Sequence, residues 1–289
     1  MYTTSGMMVR FLLLVSLASL IGCAERGEQE NRIGGGCGGR PARQRSSDSV
    51  WENGRDSAKP RTFSRLDIGN EFYENQPKIS DVPDTVEGLM ERLSSMNPNY
   101  LIIVDRTHPL DADFEPEDLV DLALYPEISR SRDGLYLERA AAEALAELSE
   151  AAGREGITLL VSSAYRSYDY QNYVFDSHIR RLGEEEASRQ VARAGTSQHQ
   201  LGTAVDFGDV TNSFADTRAS RWMEENGGKF GWSLSYPKHS SSEYMWESWH
   251  WRWIGVDAVR LQDEFFGGSQ HRMLLYLHEE LHATRLEEP

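Results

Sequence analysis

The sequence predicts an α+β domain with a small, largely antiparallel sheet flanked by helices, and three observations carry that expectation. Short apolar or aromatic runs of strand type mix with amphipathic helical stretches without a regular βαβ alternation and without an internal repeat. Of the 289 residues, 39% are hydrophobic and 26% charged, enough to bury one substantial core but not two. The reactive side chains gather at strand ends and in loops, among glycines and aromatics.

The N-terminus reads as an export signal. Arg10 precedes an apolar run from Phe11 to Ile21, too short for a retained membrane helix. Leu20-Ile21-Gly22-Cys23 resembles the bacterial lipobox, which implies that residues 1–22 are a lipoprotein signal peptide and that Cys23 receives the lipid. Residues 23–61 are rich in Gly, Ser, Arg, Glu and Gln and poor in large apolar residues, the composition of a flexible tether, with Cys37 an incidental thiol in its glycine run. Residues 62–98 form a lead-in segment with one amphipathic helix at Thr85–Ser94, after Pro83-Asp84.

The main domain is expected over residues 99–289. Tyr100 to Val104 is of strand type, and the stretch holding Pro109, Pro116 and Pro126 is loop-like. Arg139 to Ala152, with Ala and Leu at helical spacing, is a helix ended by Gly153. Ile157 to Ser162 reads as a buried strand, Tyr168 to Arg181 as a helix, and Glu184 to Ala194 as a second helix ending at Gly195. Leu201 to Phe207 is a strand. Arg218 to Asn226 is a helix stopped by Gly227-Gly228, and Trp232 to Tyr236 and Trp249 to Ile254 have strand-like aromatic and β-branched content. Helices at Val256 to Phe265 and His271 to Ala283 follow.

Composition narrows the function. Thirty basic against 46 acidic residues give a formal charge of -16, which argues against a nucleic-acid partner. Only Cys23 and Cys37 occur, so neither a disulfide framework nor a cysteine-rich zinc site can be built, and any metal must use His, Asp or Glu. His199 and Asp206 stand seven apart with Gly202 between them, a spacing that lets a loop residue and a strand residue converge on one ion. His250 can supply a further nitrogen from another strand. Two His and one carboxylate leave a fourth tetrahedral position for water, as catalytic zinc requires. Glu247, three residues before His250, is near enough to serve as a base toward that water.

Ser197, His199, Gly202, Ala204 and Asp206 satisfy Ser-x-His-x-x-Gly-x-Ala-x-Asp, which resembles the zinc motif of the VanY-type D-alanyl-D-alanine carboxypeptidases. Glu247, Trp249 and His250 resemble that family's second motif. Ser163, Tyr165, Arg166, Ser167 and Gln171 resemble its upstream Ser-x-Tyr-Arg-Ser with a following Gln, and Tyr236-Pro237-Lys238 with Tyr244 its approach to the second motif. The likeness runs in order from about Asn99 to about Tyr276. It implies a Hedgehog/DD-peptidase-like fold, Zn2+ on His199, Asp206 and His250, Glu247 as general base and Arg166 beside the oxyanion. Ser163, Gln171 and Ser197 would then hold the substrate's terminal carboxylate or peptide groups. Ser248 departs from the family's usual Pro and Trp251 from its usual Phe, changes that reshape a pocket wall without removing a ligand.

A rival motif is present. His278-Glu279-Glu280-Leu281-His282 satisfies the zincin pattern, but only seven residues follow His282, too few to supply a third ligand and a substrate wall. An amphipathic terminal helix, with Leu274, Leu275, His278 and Leu281 on its packed face, is the better reading. The alternation of Trp249, Trp251 and Trp253 suggests one face of a strand and core packing rather than a sugar-stacking surface. His108, His178, His239 and His271 have no motif around them; His239 falls between the two metal motifs.

The expected function is therefore a zinc-dependent carboxypeptidase hydrolysing the terminal D-Ala-D-Ala bond of peptidoglycan stem peptides. It would be exported, lipid-anchored to a membrane and facing the periplasm or cell exterior. Two alternatives stay open at the level of sequence: an L,D-carboxypeptidase or endopeptidase of the same fold, and a zinc-containing wall-binding protein without turnover, against which Glu247 and Arg166 speak.

Overall fold

The computed structural model describes residues 85–238 and 245–286; the export signal, Cys23, the tether, the lead-in before Thr85, and His239 and Tyr244 lie outside the described residues. Its central feature is a five-stranded sheet of very short strands. In chain order they are β2 (Ser129–Arg130), β4 (Leu160–Ser163), β5 (Ala204–Phe207), β6 (Trp232–Leu234) and β7 (His250–Trp253). The spatial order is β2-β4-β5-β7-β6; only the β2–β4 pair is parallel, and the other three pairs are antiparallel. A separate antiparallel pair joins β1 (Leu119–Asp121) to β3 (Tyr136–Glu138). This is the largely antiparallel α+β arrangement that the sequence predicts.

Alternation along the strands sorts side chains between core and site. On β5, Val205 and Phe207 point into the core, while Asp206 between them faces a cleft. On β7, Trp251 joins that core while His250 faces the cleft. Helix α2 (Arg139–Arg154) closes the core, its Leu145 and Leu148 fully buried with Val161 of β4. Each such leucine contributes about 1.5–3 kcal/mol through burial. The tryptophan alternation therefore belongs to packing: Trp251 is buried and Trp249 and Trp253 lean on the same core.

The remaining helices frame the sheet: α1 (Val86–Ser94), α3 (Tyr168–Leu182), α4 (Glu184–Gln190), α5 (Arg218–Asn226), α6 (Val256–Phe265) and α7 (Gln270–Leu286). The Thr85 hydroxyl caps α1 by accepting from Gly88 N, and Arg92 grips Asp257 of α6 through two hydrogen bonds of 2.9 and 3.1 Å. The expected helix at Thr85–Ser94 is thus tied to the body that carries the site.

Several expectations need correction. Ile157 to Ser162 is not one buried strand, since β4 starts only at Leu160, whose side chain is exposed, and the stretch between Pro116 and Pro126 expected as loop carries β1. Tyr100 to Val104 forms no strand: Pro98–Leu101 is a 3₁₀ turn, and the carbonyls of Tyr100 and Ile102 accept from Arg252 Nη2 at 3.0 and 2.9 Å instead of from a strand partner. Helix α2 runs through Gly153 and ends two residues later than expected, at Arg154, because the left-handed residue is Gly156, at φ +67°. Helix α4 stops at Gln190 rather than Ala194, since Val191 is extended. Strand β5 begins at Ala204 rather than Leu201, because Gln198–Leu201 is a 3₁₀ turn. In α7, His278 packs edge-on against His108 with ring centroids 4.8 Å apart; the side chain of His282 lies outside the described residues.

Candidate metal centre

The first motif folds as a turn followed by a strand. Ser197 Oγ accepts from His199 N at 3.4 Å and starts the 3₁₀ turn that carries His199. Gly202 ends that turn at φ +69°, a left-handed conformation that a side chain would strain. A Cβ there would also stand 3.0 Å from Leu119 Cδ2, 3.1 Å from Pro116 Cγ and 3.2 Å from the amide nitrogen of Glu138. The chain then enters β5 with Asp206 directly opposite His250 of β7 and beside Ser163 of β4. Cross-strand neighbours at this spacing touch through their side chains, so register alone joins the two motifs.

The three side chains are almost completely buried: His199 is 1% exposed, Asp206 3% and His250 4%. His199 Nε2 lies 3.2 Å from Asp206 Oδ2, and His250 Nδ1 lies 3.1 Å from Asp206 Oδ1. The outward ring nitrogens are held from behind. His199 Nδ1 donates to the Ala164 carbonyl at 2.6 Å, and His250 Nε2 donates to Gln198 Oε1 at 3.1 Å. The Gln198 amide is oriented by Ser235 Oγ donating to Oε1 at 2.7 Å and by its own Nε2 donating to Gln270 Oε1 at 3.4 Å.

With both protons on the outward nitrogens, two imidazole lone pairs and a carboxylate face one another. Their ligating atoms all lie within 4.8 Å of one another, and His199 Nε2 is buried with no hydrogen-bond partner. A cation satisfies all of these donors at once, and the His/Asp/His set suits zinc. Among the described residues this is the one such convergence of His, Cys, Asp and Glu.

Electrostatics agree with that geometry. Burial holds the His199 ring down to about 4, helped by the nearby Arg166 charge, so the ring is neutral at physiological pH. Burial alone would raise the Asp206 carboxyl, but His199 and His250 together keep it well below the ordinary carboxylate range. Glu247, whose Oε2 lies 3.6 Å from His250 Nδ1, is pushed up to about 7, first by burial and further by Asp206, against the pull of His250 and Arg166. A carboxylate poised near neutrality beside a metal centre is suited to accept and return a proton.

Arg166 is held rigidly. Its Nη1 donates to Gln171 Oε1 at 3.0 Å and its Nη2 to Asp206 Oδ2 at 3.2 Å. Gln171 is 1% exposed, and its Nε2 donates to the Ala192 carbonyl at 2.7 Å. Gln171 thereby orients Arg166, and one hydrogen on Nε2 and one lone pair on Oε1 are left over at the cleft wall.

All eight expected site residues of the domain, Ser163, Arg166, Gln171, Ser197, His199, Asp206, Glu247 and His250, line one cleft of about 630 Å³. Sequence reasoning missed Gln198 and Asn212. Gln198 occupies a variable place between the motif's Ser and His, so the pattern carries no signal for it. Asn212 pins the loop bearing Glu247, donating from Nδ2 to the Trp246 carbonyl at 3.0 Å and accepting from Ser248 N at 3.1 Å. Tyr236 flanks His250 with ring centroids 5.0 Å apart.

Residues 134–256 match the VanY family, described as D-alanyl-D-alanine carboxypeptidase. The chain is 31% identical over 216 residues to the protein named "Putative carboxypeptidase YodJ" of Bacillus subtilis (strain 168), covering 71% of this chain and 76% of that one. The solved structure of the LdcB LD-carboxypeptidase is similar at TM-score 0.55 and 30% identity, over 68% of this chain and 91% of that one. A variant of the vancomycin-resistance D,D-pentapeptidase VanY, from a VanB-type resistance cassette and in complex with Zn(II), is similar at TM-score 0.50 and 26% identity. That match covers 61% of this chain and 99% of the other.

Proposed function

Because this chain belongs to the VanY family of D-alanyl-D-alanine carboxypeptidases, we propose that it removes the terminal D-alanine from peptidoglycan stem peptides by zinc-dependent hydrolysis of the D-Ala-D-Ala bond. The observation that carries this reading is the buried convergence of His199 Nε2, His250 Nδ1 and the Asp206 carboxylate, with Glu247 beside it. His199, Asp206 and His250 hold the ion. Bound there, zinc supplies the Lewis acidity that activates water and polarises the scissile carbonyl.

The chain's own residues do the rest. Glu247, ionised in the productive state, takes a proton from the attacking water and returns it to the leaving D-alanine amine. Arg166, fixed by Gln171 and Asp206, sets a positive charge beside the carbonyl oxygen on which negative charge develops, without having to reorganise. Ser163 and Ser197 sit on the cleft wall and hold peptide groups of the substrate. A protein that only bound the wall would need neither the base nor the fixed cation.

A second reading within the same chemistry is removal of D-alanine from a tetrapeptide by L,D-cleavage, favoured by the likeness to LdcB. D-alanine release by the zinc-loaded protein from synthetic pentapeptide and tetrapeptide stems, offered separately, tests both. Pentapeptide turnover lost in Glu247→Ala supports the D,D reading, tetrapeptide turnover alone supports the second, and no release from either refutes both.

Export and lipidation at Cys23 complete the proposal, and they rest on the lipobox-like Leu20-Ile21-Gly22-Cys23 after an apolar run. A lipid tether facing the periplasm or cell exterior keeps the enzyme beside its polymer. Cys23→Ser should move the protein from the membrane fraction to the soluble fraction, and an unchanged distribution would refute the anchor.

A further inference from the structure

The cleft is more basic than the protein around it. The whole chain carries a formal charge of -16, yet among the described residues the cleft is lined by Arg132, Arg166, Arg181 and Arg189 against two carboxylates, Asp206 and Glu247. Both carboxylates belong to the metal centre, so beyond it no acidic side chain among the described residues lines the wall. Arg166 is used by Gln171 and Asp206, and Arg189 is paired with Glu185 and Glu186. Arg132, in the loop after β2, and Arg181, in the last turn of α3, are exposed and make no ion pair or hydrogen bond among the described residues.

Helix α3 gives the cleft a length. Gln171, Val174, His178 and Arg181 fall on one face of the helix and all line the cleft, starting at the residue that holds Arg166. Ten residues at a rise of about 1.5 Å put Arg181 roughly 15 Å along the helix from Gln171. One leaving D-alanine occupies only about 3.6 Å of extended chain, so this arm is far too long for the C-terminal product. It matches about four residues on the other side of the scissile bond. Tyr170 and Val210, both exposed apolar side chains, line the same cleft and suit a peptide backbone with small methyl side chains.

From this charge and spacing we propose that Arg132 and Arg181 form a subsite for a free carboxylate on the substrate peptide, N-terminal to the scissile bond. The inference rests on the peptidase reading above and adds to it a selection among stem peptides. Two sources share the chemistry: the α-carboxylate of a γ-linked D-glutamate at the second position, and the side-chain carboxylate of diaminopimelate at the third. Either meets a guanidinium as a planar, charge-assisted partner.

Binding to the zinc-loaded Glu247→Ala protein tests this without turnover. Calorimetry would compare a pentapeptide carrying both free carboxylates with peptides amidated at D-glutamate or at diaminopimelate. Two partly exposed ion pairs together are worth about tenfold in Kd. Amidation at one position should weaken binding by that factor and so identify the carboxylate. The ratio should fall toward one when Arg132→Gln and Arg181→Gln are added, whereas Arg180→Gln, on the same helix but outside the cleft lining, should preserve it. A ratio near one before these substitutions, a ratio insensitive to them, or an equal fall with Arg180→Gln would each overturn the subsite. If the native enzyme releases no D-alanine while the binding ratio behaves as stated, the bond assignment fails and the subsite stands.

Discussion

Replacing Gln198 by leucine tests whether the zinc site depends on a fixed imidazole tautomer. In the native protein His250 Nε2 donates to Gln198 Oε1 at 3.1 Å, which leaves Nδ1 to face Asp206. Leucine keeps the volume and removes the acceptor. Ser235 Oγ, which also donates to Gln198 Oε1, keeps Gln270 Oε1 at 3.2 Å, so only one buried donor is orphaned. An orphaned buried N–H costs about 1–3 kcal/mol, and here it penalises the tautomer that binds metal. Zinc affinity should therefore fall about ten- to a hundredfold. The assay is competition with a fluorescent chelator at fixed pH, with the thermal melt of the metal-free protein as a fold control. Gln198→Glu keeps an acceptor and should hold or raise the affinity. A zinc Kd for Gln198→Leu within about twofold of the parent, in a folded protein, would refute the tautomer argument.

Glu247→Gln keeps the shape of the side chain but cannot take a proton. D-alanine release should drop by about 10²- to 10⁴-fold while metal analysis still finds zinc bound, and loss of zinc instead would make Glu247 a ligand. Because burial lifts Glu247 to about 7 and the base works only when ionised, kcat/KM should rise with pH, with a midpoint at or below that value once zinc adds positive charge; a flat profile would exclude this base. In metal-free protein the same shift has a defined sign. Glu247 titrates above its ordinary 4.5, so its stabilising contribution is present below that pH and lost as pH rises through about 7. His199, held down from 6.5 to about 4, slopes the opposite way in an overlapping window, so the diagnostic is the difference between melts of the parent and Glu247→Gln. Arg252→Ala removes the fully buried donor of the Tyr100 and Ile102 carbonyls and leaves a cavity, which should cost about 3 kcal/mol or more in urea unfolding; under about 1 kcal/mol would show that those carbonyls find other partners.

The parts of the molecule legible in sequence are those fixed by local periodicity and by motif. The bounds of α5 and α6 follow from their amphipathic pattern, and the eight cleft residues follow from motif spacing. What was not legible depends on partners distant in the chain. Tyr100 to Val104 has strand composition, but its carbonyls are taken by an arginine about 150 residues away, and nothing local announces that. Gly153 looks like a helix stop and is not one, because Gly156 supplies the left-handed residue. Gln198 lies inside the best-defined motif and was still invisible there, since its contact with His250 exists only after β7 pairs with β5.

That pairing explains why so small a sheet can hold so demanding a site. A slip of one residue between β5 and β7 would turn His250 into the core and Trp251 into the cleft. Each strand has only four residues, so backbone hydrogen bonds offer limited resistance to such a slip. The resistance comes from side chains. Trp251 is 3% exposed against Val205 and Phe207, and Trp253 Nε1 donates to the Phe230 carbonyl at 3.1 Å. On the opposite face Arg252 is fully buried and anchored to the carbonyls of Tyr100 and Ile102, so it too would have to leave its partners. The aromatic cluster that could pass for a sugar-stacking surface is therefore part of what keeps His250 opposite Asp206. In that sense the core residues of β7 determine the metal geometry as directly as the ligands themselves.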